Sequence, residues 1–358
     1  MLDPAQYREL ASGRRRGLGA TLARAGLALF ELPYTFAMRV RNARYNGNSK
    51  RVTRVSVPVI SVGNITTGGT GKTPMVAWLA RWFRQQGVRA SVISRGYGAE
   101  HGALNDEALE LEHLLPDVPH VQNPDRIAAA TIAIEELATQ LIVLDDAFQH
   151  RRIHRDLDLV LLDALEPFGY GHVLPRGLLR EPLSGLRRAQ AIILSRADLV
   201  PAERRTEIRR EVERYAPGCV WIEAAHRPRA LLNSQGEEQP LSMLSGANIA
   251  AFCGIGNPAG FRQTLQRAGA NVVAWREFSD HHPFRREDIE SLIAWAVAAP
   301  SATAAICTHK DLVKIGLNSL GPLPLFALQV GIEIETGLSE LESLLAPLAK
   351  LALTEPEA

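Results

Sequence analysis

Apolar runs rich in Val, Ile and Leu recur between residues 57 and 196, and each run is short. The runs do not alternate between apolar and polar positions, which is typical of strands buried on both faces of a parallel sheet. The predicted strands cover 57–64, 90–96, 140–146, 157–164 and 190–196. The pattern therefore indicates one parallel sheet in this part of the chain.

Segments with helical periodicity separate these strands. Residues 72–87 place Val76 and Phe83 on one face and end at a glycine, and residues 124–137 repeat apolar side chains at the same spacing. Strands that alternate with helices predict a doubly wound α/β core with a mostly parallel sheet.

A second set of strand-like runs begins after residue 225. These runs cover 248–256, 271–278, 302–311 and 325–334, with helical patterns at 258–268 and 285–298. They predict a second, smaller α/β domain, and the polar segment 232–242 is interpreted as a hinge or a surface excursion. The expected division is therefore an N-terminal segment at 1–54, a core domain at 55–225 and the smaller domain at 226–358.

The N-terminal segment is basic and amphipathic. Residues 1–56 carry eleven Lys and Arg against three acidic residues, a net charge of +8, although the whole chain has a net charge of only +1. On a helical wheel a narrow polar stripe lies beside a broad apolar surface. The stripe is Thr21, Arg24, Ala28, Glu31 and Thr35, and the apolar surface is Leu18, Leu22, Leu29, Phe30, Leu32 and Phe36.

Two interpretations of this helix stay open from the residues alone. Arg24 and Glu31 interrupt the apolar run well before the roughly 20 residues that a membrane-spanning helix needs. The helix is suited to lie in the headgroup region of an anionic membrane, or else to pack on the rest of the protein with its arginines in water.

Composition excludes several classes of protein. A chain of 358 residues that is 46% hydrophobic is long enough to bury a sizeable core. Its cysteines, Cys219, Cys253 and Cys307, are odd in number and far apart, so neither a disulfide framework nor a zinc knuckle is expected. We interpret them as buried thiols of a protein kept in a reducing compartment.

The stretch 63–74, GNITTGGTGKTP, lies between a predicted strand and a predicted helix. Its glycines permit the positive φ angles with which successive amide groups surround a phosphate. Lys72 is expected to reach the β- and γ-phosphates of a nucleotide, and Thr73 to bind Mg²⁺. The P-loop pattern GxxxxGK[ST] asks for a glycine where this chain has Thr66, but the lysine, the hydroxyl and the last glycine all match.

Two adjacent carboxylates support the nucleotide interpretation. Asp145 and Asp146 end the predicted strand at 140–146, where a Walker B carboxylate would hold Mg²⁺ or its water shell. An Asp at the end of a strand is often only a turn residue, but here it follows a P-loop in the same predicted sheet. Two neighbouring carboxylates also need cations, which Mg²⁺ and Lys72 would provide.

Other polar residues lie in the loops that follow predicted strands, where α/β proteins build their sites. Those expected to contact substrate or phosphate are Arg95, Glu107, Arg126, Gln149, His150 and Arg180. The alternative for each of them is a solvated surface residue or a helix cap.

Seven motifs together resemble one family. The motifs GNITTGGTGKTP, SRGYG, the acidic pair of NDEA, LDDAFQH, LPRGLLREP, SDHH and THKD occur in the order and approximate spacing of tetraacyldisaccharide 4'-kinases, the lipid A 4'-kinases of Gram-negative bacteria. The resemblance implies transfer of the γ-phosphate of ATP to the 4'-hydroxyl of an acylated glucosamine disaccharide 1-phosphate. It also implies a P-loop kinase core, a smaller C-terminal domain, and an N-terminal helix that meets the cytoplasmic face of the inner membrane as a peripheral element.

The resemblance also implies roles for individual residues. Asp106 and His281 would activate the acceptor hydroxyl, as a carboxylate beside an imidazole is suited to do. Asp145, Asp146 and Glu181 would organise Mg²⁺, Arg126 would contact phosphate, and Lys72 and Asp146 would complete the catalytic set. The nucleotide-binding residues would be Thr66, Thr67, Gly68, Gly69, Thr70, Gly71, Lys72 and Thr73.

The chain departs from the family pattern near two motifs. Asn105 and Ala108 flank the acidic pair where the family usually has GDEP, and His309 stands where the family often has TEKD. Asp106 itself is retained.

Three rival interpretations are disfavoured by particular residues. A membrane-associated P-loop switch ATPase would carry a signature lysine where this chain has Thr67. A GTPase would carry NKxD in a strand-end loop, and the SRAD at 195–198 is a poor substitute. A nucleic-acid-binding role is disfavoured because the N-terminal aromatic residues belong to the apolar face and do not alternate with the charges.

Overall fold

The computed structural model describes residues 4–46, 52–96, 106–279 and 282–354, and within these it leaves the side chains of residues 4, 5, 106 and 107 undescribed. The chain forms two compact units. Unit 1 comprises Met1–Arg95, Val118–Ala225 and Ile332–Ala358, and unit 2 comprises Gly96–Asp117 and His226–Gly331.

Strands and helices alternate along most of the described chain. The strands are β1 Val59–Asn64, β2 Ala90–Ser94, β3 His120–Gln122, β4 Leu141–Asp145, β5 Leu157–Asp163, β6 Ala191–Ser195, β7 Val220–Leu232, β8 Glu238–Gln239, β9 Asn248–Cys253, β10 Asn271–Glu277, β11 Ala304–Thr308, β12 Ser319–Leu320 and β13 Leu323–Thr336. The helices are α1 Pro4–Ala11, α2 Leu18–Asn46, α3 Lys72–Gln85, α4 Asp106–Leu114, α5 Arg126–Leu137, α6 Ala202–Tyr215, α7 Pro258–Arg267, α8 Arg286–Val297, α9 His309–Ile315 and α10 Leu338–Leu353.

Unit 1 is built on a parallel sheet with the strand order β7-β6-β5-β1-β4-β2-β3. All six residues of β1 are buried, as are all five of β2, β4 and β6. The predicted doubly wound, mostly parallel α/β core is confirmed. Because β1 lies between β4 and β5, the residues that follow β1 and β4 emerge side by side at the carboxyl edge of the sheet.

Unit 2 has a smaller parallel arrangement with the order β10-β9-β11-β13, and the short strand β12 pairs antiparallel with β13. Helix α4 belongs to this unit and packs on α9. The predicted strand at 302–311 is shorter than expected, because Thr308 ends the strand and caps α9 through its hydroxyl, which accepts a hydrogen bond from Asp311 N.

The compact units do not follow the three continuous segments expected from the sequence. Residues 96–117 group with unit 2, and residues 332–358 group with unit 1. Strands β7 and β13 each begin in one unit and end in the other, so the chain returns to unit 1 near its end. There Trp82 Nε1 of α3 donates a hydrogen bond to Glu342 Oε1 of α10 at 3.2 Å.

Helix α2 turns its polar stripe towards the protein. Glu31 Oε1 accepts a hydrogen bond from Val173 N at 2.8 Å, and Tyr34 Oη donates to Arg180 O at 3.1 Å. Met38, two turns after Glu31, is the one residue of α2 that is buried among those the structure describes. The predicted apolar surface is the outward face, and its six residues are 67–86% exposed.

No described helix is long and apolar enough to cross a membrane. Cys253 and Cys307 are buried as expected, whereas Cys219 is only half-buried.

Candidate active site

The loop at 65–71 leaves the carboxyl end of β1 and leads into α3. Gly63 is required just before it, since a Cβ at this position would lie 2.6 Å from Phe148 Cβ. Gly68 and Gly71 have φ angles of 117° and 86°, in the left-handed region that favours glycine. The sequence therefore folds into the glycine-rich turn that the P-loop pattern predicted.

Thr66 stands where the pattern asks for glycine, and the structure supplies a reason. Thr66 pairs antiparallel with Leu179, in an extended stretch that needs no positive φ. The pairing continues on both sides, because Thr67 N donates to Leu178 O at 2.8 Å and Arg180 N donates to Ile65 O at 2.8 Å. The LPRGLLREP motif thus forms the backing of the loop.

A buried asparagine ties the two ends of the loop together. Asn64, at the end of β1, donates through Nδ2 to Thr70 Oγ1 at 3.1 Å. The hydroxyl-bearing residues Thr66, Thr70 and Thr73 are all buried, with exposed fractions of 3%, 2% and 8%. Buried side chains therefore stabilise the loop on the side that faces the protein interior.

The acidic pair lies beside this loop. Asp145 is buried at the end of β4, and Asp146 follows it with a φ of 49°. Lys72 Nζ lies 3.6 Å from Asp146 Oδ1, and Arg180 Nη1 lies 2.8 Å from the same oxygen. Burial by itself would raise the pKa of Asp146, but Lys72 and Arg180 outweigh it and hold this pKa below its ordinary value. Asp146 is therefore ionised near neutral pH.

Glu181 is the anchor of a buried network. Its carboxylate is fully buried and accepts four hydrogen bonds, from Asn42 Nδ2 at 2.8 Å, from Gln149 Nε2 at 3.1 Å, and from Arg188 at 3.0 and 2.8 Å. A carboxylate has about four lone-pair sites, so protein donors fill them all. Gln149 also donates to Asn64 O at 2.9 Å, which links the network to the loop.

Arginines crowd around His150 at the same edge of the sheet. Burial, together with the charges of Arg126, Arg152, Arg155 and Arg41, lowers the pKa of His150 to about 4, so the imidazole is neutral at pH 7. Arg126 is 3% exposed and donates to the carbonyl of residue 123 at 3.1 Å.

Burial lowers the pKa of Arg126, as does the charge of Arg95, while Asp145 and Asp146 raise it. Arg95 itself is exposed at the end of β2. The positive charges of Arg95 and Arg126 thus lie at the same edge of the sheet as the negative charges of the acidic pair.

Two arginines that the sequence analysis did not select also meet the loop. Arg196, in the SRAD motif, donates through Nη2 to Gly69 O at 3.0 Å and forms an ion pair with Asp163 at the end of β5. Arg8 of α1 lies at Gly68, where its Nη2 is 3.3 Å from the position of a Cβ. Neither contact has a local sequence signal, because each joins segments that are far apart along the chain.

The oxygen donors here suit a magnesium ion. Asp145, Asp146 and the Thr73 hydroxyl supply the hard oxygen atoms that Mg²⁺ takes, and Mg²⁺ is commonly held by one or two carboxylates plus the phosphates of a substrate. Among the residues that the structure describes, no group of three or more His, Cys, Asp or Glu side chains is arranged to hold a metal by itself.

The residues expected to act on the acceptor belong to unit 2. Asp106 begins α4, but its side chain and that of Glu107 are outside the described part of the structure, as is the whole of His281. On either side of residues 280 and 281, His282 N donates a hydrogen bond to Ser279 O at 3.1 Å.

His309 lies under α4. It is 5% exposed, its Nδ1 is 4.0 Å from Glu110 Oε1, and burial together with His113 lowers its pKa to about 4. The neighbouring Asp311 is fully buried and accepts hydrogen bonds from Gly254 N at 3.0 Å and Thr308 Oγ1 at 2.6 Å. His309 and Asp311 of the THKD motif are thus both buried and held within unit 2.

Comparisons with known proteins agree with the resemblance. The family profile of tetraacyldisaccharide-1-P 4'-kinase matches residues 23–348. The chain is 40% identical to the tetraacyldisaccharide 4'-kinase of Anaeromyxobacter dehalogenans (strain 2CP-C) over 348 residues, which covers 92% of this chain and 91% of the relative. It is 38% identical to the enzyme of the same name from Geobacter sulfurreducens over 341 residues, which covers 90% of this chain and 92% of the relative.

A solved structure is similar as well. The crystal structure of LpxK from Aquifex aeolicus in complex with ATP superposes with a TM-score of 0.74 at 31% sequence identity, and the match covers 91% of this chain and 99% of that chain. Because the family profile and the relatives match nearly the whole length, the chain belongs to the tetraacyldisaccharide-1-P 4'-kinase family, a family of ATP-dependent kinases of lipid A biosynthesis.

Proposed function

We propose that this protein transfers the γ-phosphate of ATP to the 4'-hydroxyl of a tetraacyldisaccharide 1-phosphate, with the residues of the loop at 65–71 and the edge of β4 holding the donor. The observation that carries the assignment of residues is the grouping of Lys72, Arg180 and Asp146 beside a glycine-rich loop at the ends of adjacent parallel strands. Phosphoryl transfer depends on positioning and charge neutralisation, which such a group provides.

The loop and α3 bind the triphosphate in this proposal. The backbone amides of 66–73 surround the phosphates, and the positive end of α3 points at them. Lys72 neutralises the charge that develops on the transferred group, and Asp146 keeps the Lys72 ammonium group in place. Arg126 and Arg95 add positive charge at the same edge of the sheet.

Asp145, Asp146 and Thr73 would hold Mg²⁺. The ion neutralises phosphate charge when it is bound. We leave Glu181 out of this set, because its oxygens already accept four hydrogen bonds from Asn42, Gln149 and Arg188. Gln149 and Glu181 instead stabilise the loop on the side that faces the protein interior. His150 lies near Arg126 as an uncharged side chain.

On the acceptor side, Asp106 and His281 activate the 4'-hydroxyl. The imidazole of His281 takes the proton of the hydroxyl as the oxygen attacks the γ-phosphate, and the carboxylate of Asp106 orients the imidazole and stabilises its charged form. Glu107 contributes to binding of the sugar. These roles rest on the motifs NDEA and SDHH.

The acylated acceptor explains the outward face of α2. Six large apolar side chains there are exposed to water, which is unfavourable unless another apolar phase covers them. Exposed arginines of α2, including Arg39 and Arg44, accompany this face and would meet anionic headgroups. We therefore place the protein at the cytoplasmic face of the inner membrane as a peripheral protein that binds no nucleic acid.

Transfer of label tests the proposal directly. Purified protein would be incubated with γ-labelled ATP, Mg²⁺ and detergent-dispersed tetraacyldisaccharide 1-phosphate, and the lipid fraction would be separated and counted. Label in the lipid is the expected result, and its position is read from the bisphosphorylated product by mass spectrometry. Absence of transfer under conditions where a known 4'-kinase is active would refute the proposal.

A paired substitution separates the donor site from the acceptor site. Asp106→Asn is expected to lower turnover by about 10²-fold or more, because the base His281 loses the carboxylate that orients it and stabilises its charged form, while the Kd for ATP stays within about twofold. Asp117→Asn, a carboxylate of the segment that follows α4, serves as the control and should retain wild-type turnover.

A further inference from the structure

Helix α1 lies outside the segment that matches the family profile, yet it is docked on the backing of the phosphate-binding loop. The profile begins at residue 23, and α1 covers Pro4–Ala11. Tyr7 Oη lies 2.7 Å from Pro175 O and 2.8 Å from Gly177 O, so its single hydroxyl proton is shared between these two carbonyl oxygens. These two contacts fix the first turn of α1 on the segment that backs the loop.

The far end of α1 is held as well. Arg176 Nη1 donates to Ala11 O at 3.1 Å, and Leu10 and Ala11 are each only 3% exposed. With both of its ends secured, the short helix has a defined orientation despite its length of 8 residues.

This docking brings Arg8 to the loop. The Nη2 atom of Arg8 lies 3.3 Å from the position that a Cβ would take at Gly68, whose φ is 117°. Glycine at this position therefore does two things, since it permits the left-handed conformation and leaves room for a guanidinium group beside the loop backbone.

Arg8 and Arg196 differ in whether a carboxylate is paired with the guanidinium group. Arg196 is paired with Asp163 and donates to Gly69 O, so its guanidinium is already committed. Arg8 has no carboxylate within ion-pair distance among the residues that the structure describes, and its side chain is exposed. Of these two arginines, Arg8 is therefore the one whose guanidinium group is not paired with a carboxylate among the residues that the structure describes.

We propose that Arg8 binds the phosphate oxygens of the nucleotide that this loop holds, as a cation supplied by an N-terminal helix of the same chain; this proposal rests on the nucleotide site of the proposed function. The guanidinium group presents a planar fork of donors that matches the geometry of phosphate. Its partner is a nucleoside triphosphate, whose negative charge Arg8 meets together with Lys72. Because α1 continues directly into the segment leading to α2, one N-terminal element then contacts both the nucleotide and the lipid surface.

Direct binding measurements test Arg8 without any lipid acceptor. The Kd of ATP for the full-length protein would be measured by calorimetry in the presence of Mg²⁺, for wild type, Arg8→Ala, Arg8→Lys and Arg16→Ala. We expect Arg8→Ala to raise the Kd about tenfold, the effect of losing one contact to a charged group, and Arg8→Lys to recover part of the affinity. Arg16→Ala removes the same charge from the same segment and should leave the Kd within about twofold.

The pattern of results decides the proposal. An unchanged Kd for Arg8→Ala would refute it, and a lower Kd would show that Arg8 blocks the loop instead of binding phosphate. Equal losses for Arg8→Ala and Arg16→Ala would also refute it, because the effect would then come from net charge alone. The melting temperature without nucleotide should be equal in all four proteins, since both arginines are exposed.

A comparison of the two readouts keeps this inference separate from the proposed function. If ATP binding depends on Arg8 but no label reaches the lipid, the acceptor assignment fails and the Arg8 contact stands. If label reaches the lipid and Arg8→Ala binds ATP as well as wild type, the Arg8 contact alone fails.

Discussion

Arg180 Nη1 lies 2.8 Å and 2.9 Å from the two carboxylate oxygens of Asp146. Arg180 comes from the segment that backs the glycine-rich loop at 65–71, and Asp146 follows β4, so this contact joins the loop backing to the acidic pair. Lys72 approaches the same carboxylate at 3.6 Å. The three side chains therefore form one charge group, in which a change to any member alters the other two.

Arg180→Ala should shift the acid limb of the pH profile of kcat/KM to higher pH. Removal of a neighbouring cation raises the pKa of Asp146, so the carboxylate becomes protonated at a pH where it is now ionised. Label-transfer rates between pH 5 and 9 would measure the shift. Arg187→Ala is the control, because Arg187 is an exposed arginine in the short helical turn Leu183–Arg188 that follows this segment, and an acid limb that is identical in both variants would contradict the coupling.

Lys72→Ala should lower kcat/KM by roughly 10²–10³-fold, the effect of losing one preorganised group that stabilises charge in the transition state. The free energy of unfolding should change little, because Asp146 keeps both of its hydrogen bonds from Arg180 Nη1. Lys350→Ala removes an exposed lysine of α10 and should keep wild-type kinetics. A Lys72 variant with normal kcat/KM would exclude the loop from the reaction.

Glu181→Ala should destabilise the fold by about 3–5 kcal/mol, because it leaves Arg188 as a buried charge without its carboxylate. Urea unfolding followed by circular dichroism would give the difference in free energy of unfolding. Glu213→Ala breaks an exposed ion pair with Arg209 and should cost less than about 1 kcal/mol. If Glu181→Ala abolishes activity and leaves stability unchanged, the metal role implied by the resemblance regains support.

Stability should fall as the pH drops from about 6.5 to about 4. Burial holds the pKa of His150 and of His309 at about 4 in the folded state, below the value of about 6.5 in an unfolded chain. The unfolded state therefore binds more protons in this window, and the free energy of unfolding rises with pH across it. Urea unfolding at several pH values should show a flatter dependence for His150→Asn and for His309→Asn than for wild type. A slope that is unchanged in both variants would contradict the neutral, buried histidines.

Substitution of three outward apolar residues of α2 should release the protein from membranes. The triple variant Leu22→Ser, Leu29→Ser and Phe36→Ser removes side chains that are 69–71% exposed, and burial of each in a lipid phase contributes up to about 1.5–3 kcal/mol. Co-sedimentation with anionic phospholipid vesicles should fall at least about tenfold.

The matched control places three serines at exposed leucines elsewhere, Leu165, Leu351 and Leu353. The control should bind vesicles as wild type does. Equal loss in both triple variants would mean that general hydrophobicity, and not the face of α2, drives the association.

Most of the sheet could be predicted because its strands are continuous apolar runs, and the exceptions have physical reasons. Strand β3 has only 3 residues, which is too short for any pattern. Strand β7 has 13 residues but carries charged and polar positions as well as Pro228, so it lacks an uninterrupted apolar run. Helix α6 was not predicted because it buries only Ile208 and Val212.

The amphipathic pattern of α2 was recognised, but its orientation was not. Periodicity identifies two faces and cannot say which one meets the protein. In the structure Glu31 and Tyr34 find partners at Val173 and Arg180, so the polar stripe is the inner face. The apolar face is left outward, which is the reverse of the usual surface helix.

The sequence by itself determined the buried strands, the glycine-rich loop and the acidic pair, because each depends on residues that are neighbours along the chain. Only the tertiary structure decided which side chains from distant segments contact these elements. Glu181 became a buried anchor and not an open carboxylate, and Arg196 reached Gly69 across 127 residues. Arg8 reached Gly68 from a helix that precedes the family match. The packing of distant segments selects such contacts, and no local pattern of residues records them.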